Sequence, residues 1–472
     1  AMIILCVTAV PLFYRARVFT AYEYLEQRFD AKTRTLTSFF FLLSRGLGAG
    51  VIIAAPAVVL SIVLGWDELV TIFVIGLSTT VYTMLGGVQS VTWTDVKQMV
   101  IILVGLSLCV FVIITNLPAG VSFNDAMNVA GAAGKLQTID FTFDLTEPYT
   151  IWSGMIAALF LFLSYFGCDQ SQVQRYLTAR SVDEGRVSLL MSAFLKIPMQ
   201  FLFLLVGILV FVFYLFSTPP MIFNEEDVTR AAQVQPLEHE RLQGEFAEAH
   251  QLRHSAALRF IEERGSAEQV TARANYIAAN ETYQDKRREA TEFVRQTNGD
   301  SSFTDVNYVF PVFVLENMPL GLVGLIVAAI LAAAMSSVAA ELNALATAST
   351  MDFYRRHINV NSSEKQMLRF GRLSTLAWGV FACIVATFAT NLGSLIEVVN
   401  TFGSFFYGSL LGVFVLAFAV PRAKSAGAFY GLLFGIVSVW IASSTTDIAF
   451  LWFNVVGCLV TVAAGYLISI VR

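Results

Sequence analysis

Charge is what this sequence of 472 residues has least of. Only 14% of positions are Asp, Glu, Lys or Arg, against 56% hydrophobic residues and a mean hydropathy of +0.67. A water-soluble chain of this size has too little interior to hide so much apolar surface. The net charge of −5 offers no general basic surface, which argues against nucleic acid as a partner. The five cysteines (Cys6, Cys109, Cys168, Cys383, Cys458) form no CxxC pair and lie in or at the edge of apolar runs, so a disulfide framework and a zinc site are both poor readings. No HExxH, GxSxG or paired-carboxylate motif falls in an apolar stretch, and three of the four histidines lie in the polar stretch 223–306, which leaves no enzyme signature. The sequence starts at Ala1 already inside an apolar run, without the basic flank of a signal peptide, and stops at Arg472 directly after another. It is therefore expected to be a fragment, truncated at both ends.

Apolar runs are what it has most of. A bilayer-spanning helix needs ~20 mostly apolar residues, and eleven segments qualify as spans: 1–13, 36–64, 68–86, 98–116, 150–168, 188–216, 320–350, 370–391, 394–420, 425–443 and 447–470. The fold class is thus an all-α polytopic membrane protein, with the lipid bilayer as its solvent. Of the 30 basic residues, 17 lie in 14–35, 86–98, 169–187, 353–372, 421–425 and at Arg472, whereas the short loops of the opposite side hold only Lys135. Excess Lys and Arg marks the cytoplasmic side, so that first set is expected inside the cell membrane.

Residues 223–306 are of another kind. They are polar, poor in Gly and Pro, and rich in Ala, Glu, Gln and Arg, with Leu252, Leu258, Phe260 and Ile261 interspersed. This composition predicts one or two helices, and topology puts them on the extracellular or periplasmic side. The chain divides into 1–222, the insertion 223–306, and 307–472. His250 and His254, four apart in the insertion, have the spacing of metal ligands, but a solvated helix face explains them more simply.

Polar groups inside apolar spans mark function, because the bilayer penalises them. In the run from Gly321 to Arg356, Ala333, Ser336 and Ser337 share one helical face. Two hydroxyls and a carbonyl are hard oxygen ligands for a small cation; the alternative is close helix packing, with each serine bonded to the preceding turn. In Tyr165-Phe-Gly-Cys-Asp-Gln-Ser-Gln-Val-Gln-Arg175 an apolar helix gives way to a dense polar run. Discontinuous helices of this kind line transporter sites, although an ordinary helix end reads the same way. Arg45 lies about ten residues, roughly 15 Å, into its span, and Lys196 about as deep in another. Each either pairs with an acid such as Asp95 or Glu341, reaches the interface, or meets an anionic solute. Glu397, near the outer end of 394–420, either lines a vestibule or simply reaches water.

Four stretches taken together resemble the sodium:solute symporter family, which includes sodium–galactose, proline and sialic-acid transporters. They are Thr20-Ala-Tyr-Glu-Tyr-Leu-Glu-Gln-Arg-Phe29; Gly86-Gly-Val-Gln-Ser-Val-Thr-Trp-Thr-Asp-Val-Lys-Gln98; Gln174-Arg-Tyr-Leu-Thr-Ala-Arg-Ser-Val182 with Lys196 following; and Ser336-Ser337 with Asn343 and Met351-Asp-Phe-Tyr354. The resemblance implies two inverted five-helix repeats working by alternating access, with the first core helix absent and two additional helices at the C-terminal end. It implies sodium as the coupling ion, held by Ala333 through its carbonyl and by Ser336 and Ser337 through their hydroxyls. Asp95 matches an aspartate of a second cation site, but Ala333 stands where such members carry a hydroxyl, so one sodium per cycle is expected. Tyr165 matches an aromatic substrate gate. Phe162 replaces a sugar-binding asparagine, and Arg45 falls about one turn from an arginine that holds a carboxylate. A small solute, a sugar or an organic anion, is the expected partner, and the alternative is a transporter-like sensor module of a signalling protein.

Overall fold

A backbone surrounded by hydrocarbon must satisfy its hydrogen bonds within its own helix, and the apolar segments obey this rule. The computed structural model describes residues 1–137, 139–301, 303–389 and 395–471, with the side chains of 87–95 and 395–396 outside that description. Among the described residues, nine helices are long and apolar enough to cross a membrane, or up to eleven if two bent pairs each count as one span. Eleven is the number that hydropathy predicts.

In chain order the first bent pair comprises α1 (Met2–Val7), α2 (Ala9–Ala16) and α3 (Ala21–Arg28), turned by 76° at its break. Next come α4 (Ala31–Leu64), α5 (Glu68–Thr115), which holds two spans, and the short α6 (Phe123–Ala132). The second bent pair is a π turn at Ser153–Ala157 continued by α7 (Ala158–Gly167), then α8 (Gln170–Leu177), turned by 55°. After α9 (Val182–Phe216) the chain leaves the bundle as α10 (Glu225–Val234), α11 (Pro236–Glu262) and α12 (Gln269–Asn298). It returns as α13 (Val309–Asn317) and α14 (Leu320–Ala348), which runs on as a π-helical stretch, Ser349–Ile358. The last four helices are α15 (Glu364–Ala389), α16 (Leu395–Ala419), α17 (Ser425–Thr445) and α18 (Phe450–Val471).

Helix starts follow the expected chemistry: Thr20, Asp30, Asp169, Ser181 and Asn224 each cap the helix behind them through a side-chain oxygen. α4 ends at Gly65, whose φ of +65° is left-handed and whose N–H bonds to the Ser61 carbonyl at 2.9 Å. Packing in the bundle depends on small residues, since hydrocarbon drives helices together no better than lipid does. A methyl group at Gly427 on α17 would sit 2.2 Å from the Gly465 carbonyl of α18, so these backbones are in direct contact. α14 packs on α4, α5, α8 and α15, which places its Ala-rich length at the centre.

The insertion forms three helices where the sequence predicts one or two. α11 and α12 make a hairpin around Leu242, Phe246, Ala249, Tyr283, Ala290 and Phe293. Phe260 belongs to a second apolar cluster, whereas Leu252 is exposed. His250 and His254 stack at 6.5 Å, but among the described residues no group of three or more metal-type ligands forms. His250 instead turns Nε2 to the Tyr214 carbonyl at 3.2 Å, and Arg253 donates Nη2 to the same oxygen at 2.7 Å. That carbonyl lies in the last turn of α9, where helices lack internal donors.

Candidate functional site

The helix beginning at Ser153 stops at Gly167 because Asp169 competes as a cap: its Oδ1 accepts from the Ser171 N–H at 2.8 Å and from the Ser171 hydroxyl at 2.7 Å. The other oxygen of Asp169 accepts from Nε of Arg45 on α4. Arg45 also places Nη1 3.1 Å from Oε1 of Glu341 on α14. All three residues are buried: 4% exposed for Arg45 and Glu341, 3% for Asp169. The rings of Tyr165 and Tyr407 lie 4.8 and 5.2 Å from the guanidinium carbon, a cation–π arrangement that compensates part of the desolvation. Arg45 therefore ties two continuous helices, α4 and α14, to the break of a discontinuous one.

Two further links hold the break. Ser164 donates to the Tyr407 carbonyl at 2.6 Å. Gln170 accepts from the Ala21 N–H at 2.9 Å and donates to the Phe19 carbonyl at 3.1 Å, so the breaks of the two bent pairs are bonded to each other.

A second buried cluster lies where α14 turns π-helical. Asp352 is fully buried and accepts from Thr20 Oγ1 (2.8 Å), Ser38 Oγ (2.9 Å), and Arg34 Nε and Nη2 (2.8 and 2.6 Å). Arg34 also pairs with Glu26 at 2.8 Å, which in turn pairs with Arg356 at 2.6 Å. Sequence reasoning missed this cluster. The available signal was an aspartate in the same helical run as the serines, with an arginine at the mouth of α4.

The expected sodium ligands are found as follows. Ser337 donates its hydroxyl to the Ala333 carbonyl at 3.0 Å, so the hydroxyl and carbonyl oxygens are adjacent. Ser337 is exposed and Ser336 half-buried, while Ala333 borders an apolar cavity of about 450 Å³ shared with Cys109, Val206 and Phe310. Ser337 and Glu341, four apart, lie on one helical face, so the serine is the open end of a stripe that leads to the buried carboxylate. Asp95, expected as a further cation ligand and named as a partner for Arg45, lies outside the described residues.

Tyr165 is half-buried under Arg45, and its hydroxyl accepts from Gln172 at 3.0 Å. Phe162 is 45% exposed, near Phe166 rather than at the charged cluster. Lys196 pairs with no acid among the described residues; its ammonium lies over the Phe166 ring at 4.8 Å. Glu397 is exposed in the first turn of α16, with Tyr149 within electrostatic reach. Arg45 departs from expectation most: two of its three nitrogens are committed to Asp169 and Glu341, and only Nη2 is without a hydrogen bond.

Bent helices that meet at buried charge within an apolar bundle define the fold of a secondary transporter. The sodium:solute symporter family model matches residues 1–239 and 296–435, and the chain belongs to that family. The interval between the two matched stretches falls inside the polar insertion. The chain is 27% identical to the sodium/sialic acid symporter NanT of Aliivibrio fischeri, an alignment covering 97% of this chain and 75% of that protein. It is 26% identical to the sodium/sialic acid symporter SiaT of Proteus mirabilis (97% and 76%) and to sodium-coupled monocarboxylate transporter 2 of Mus musculus (98% and 68%). In three dimensions it is similar to a substrate-bound, outward-open Na⁺-coupled sialic acid symporter, with a TM-score of 0.72 at 24% identity over 99% of this chain and 80% of the other. That likeness establishes the inverted-repeat transporter fold. Sodium is the coupling ion of the family, and the sensor alternative finds no support in these relatives.

Proposed function

We propose that this protein imports a small organic solute, an organic anion or a sugar, with one sodium per cycle across the cell membrane. The observation that carries the reading is the stripe on α14: Ala333, Ser336 and Ser337 supply three oxygens within one turn, on a helix that reaches the broken segment through Glu341 and Arg45. Sodium held there favours the arrangement that admits solute, and solute closes the site under Tyr165. Rocking of the broken helices against α4 and α14 then opens the inner side. Coupling of this kind is a reciprocal free-energy linkage between the two sites.

The size of the coupling is adequate. A potential of about 100 mV supplies ~2.3 kcal/mol per charge, and a tenfold sodium gradient adds ~1.4 kcal/mol. One sodium thus supports a gradient of roughly several hundredfold for an uncharged solute, whereas for a monovalent anion the two charges cancel and the sodium gradient alone supports roughly tenfold. The named solutes of the relatives, sialic acid and monocarboxylates, support an organic anion over an uncharged sugar. The insertion 223–306 faces the outside in this reading, because the basic loops take the cytoplasmic side.

The test is uptake by proteoliposomes of the purified chain, with and without an inward sodium gradient, against labelled sialic acid, short monocarboxylates and sugars. Sodium-stimulated accumulation of a carboxylate supports the reading. Accumulation that is indifferent to sodium rejects it.

A further inference from the structure

We propose that Glu341 is a proton-binding group, and that a proton enters or leaves this carboxylate when the broken helix moves relative to Arg45. The argument starts from an inequality between two buried acids. Asp169 receives three donors: Arg45 Nε, the Ser171 N–H and the Ser171 hydroxyl. Glu341 receives one, Arg45 Nη1 at 3.1 Å, and its Oε2 is buried without a hydrogen-bond partner.

One guanidinium between two ionised carboxylates leaves an excess negative charge in a site sealed from water. A buried ion without a partner is far costlier than a neutral hydroxyl in the same place, so a proton taken from water onto Oε2 removes the excess. The proton adds to a carboxylate lone pair and no other bond changes. The other groups around Glu341 supply little of the missing charge. Arg175 on α8 is within electrostatic reach and favours the ionised carboxylate, but it is exposed, so solvent screens it. Tyr165 on α7 and Tyr407 on α16 contribute uncharged rings. Tyr82 on α5 gives its hydroxyl to the Met335 carbonyl at 2.6 Å, nearly two turns from Glu341. The Ser171 hydroxyl is within reach of Glu341 as well, but its single proton is directed to Asp169 at 2.7 Å.

Movement links the proton to transport. Asp169 sits at the break, whereas Arg45 and Glu341 sit on helices that pack directly on each other. When the break withdraws, Arg45 is left with Glu341 alone, one charge against one, and the carboxylate gives up its proton. When the break returns, as here, the proton is taken back.

The experiment is pH-difference infrared spectroscopy of the whole purified chain in lipid. The expected result is a protonated-carboxyl C=O band that titrates, shifts in heavy water, and disappears in E341Q. D169N, which removes the competing charge at the break, should move the titration to lower pH. A band retained in E341Q, or no protonated carboxyl at any pH at which the protein stays folded, overturns the proposal. E341D, which keeps a carboxyl, should restore a band at an altered frequency if E341Q has lost it specifically. The infrared signal needs neither sodium nor solute, so its failure is distinct from failure of sodium symport. In uptake assays the wild type should show a one-proton dependence with a limiting slope of roughly tenfold per pH unit, and E341Q a flat profile; a wild-type profile that is itself flat argues against coupling.

Discussion

Arg45 and Asp169 form a buried ion pair in which the arginine belongs to an unbroken helix and the aspartate to the break of another. The pair therefore joins a part of the molecule built to stay straight to a part built to bend. Removing one member of such a pair is more damaging than removing both, because a lone buried charge remains.

From this comes the first prediction. R45M should lower stability by about 3–5 kcal/mol, because Asp169 is left buried without its cation, while R45M combined with D169A should recover much of the loss. Thermal unfolding of both variants in detergent measures it. A double variant no more stable than the single one would show that the pair does not behave as a unit.

S336A and S337A should each raise the sodium concentration needed for half-maximal uptake by roughly tenfold or more, since ~1.4 kcal/mol of lost ligand energy is a factor of ten. Membrane insertion and expression should be unchanged, because Ser337 is exposed and donates its hydroxyl within its own helix, to the Ala333 carbonyl. Unaltered sodium dependence in both variants would refute the site.

The Asp352 cluster joins the π-helical end of α14 to α4 and to Thr20, the cap of α3. D352A should cost about 3–5 kcal/mol, because Thr20, Ser38 and two nitrogens of Arg34 lose their buried acceptor although Arg34 keeps Glu26. T20V and S38A should each cost about 1 kcal/mol, the worth of one hydrogen bond. Hydrogen exchange over 349–358 should quicken in D352A. No change in exchange there would mean that Arg34 and its neighbours do not hold this segment.

The insertion should loosen in acid. Burial, with the adjacent Arg253 charge, holds His250 below the ordinary histidine range. A histidine kept neutral in the folded state contributes stability above its unfolded value and loses it as pH falls through that value, because the unfolded chain then binds the extra proton. Hydrogen exchange in α11 should therefore rise as pH drops below about 6.5, and H250F should abolish the dependence. R253M should loosen the same contact at every pH, since it removes the 2.7 Å bond to the Tyr214 carbonyl.

Several features of the site were legible before any coordinates. The polar run at 165–175 reads equally as a discontinuous helix or a helix end, and the bend at Cys168 and Asp169 decides for the first. Glu341 was one of two acids that could answer Arg45, and it does. Asp169 as the second partner was not legible, because nothing local distinguishes a helix cap from a cap that also reaches a guanidinium 124 positions earlier in the chain. The Asp352 cluster was hidden for the same reason: its donors come from Thr20, Arg34 and Ser38, all more than 300 positions away. Lys196 was equally buried by hydropathy, yet it finds an aromatic face instead of an acid.

Sequence alone determined the solvent and the apolar segments that can span it, because bilayer thickness and backbone hydrogen bonding act on each segment independently. Tertiary structure alone decided which charge meets which. The energy of a buried ion depends on distances between helices, and no pattern along a single helix encodes them.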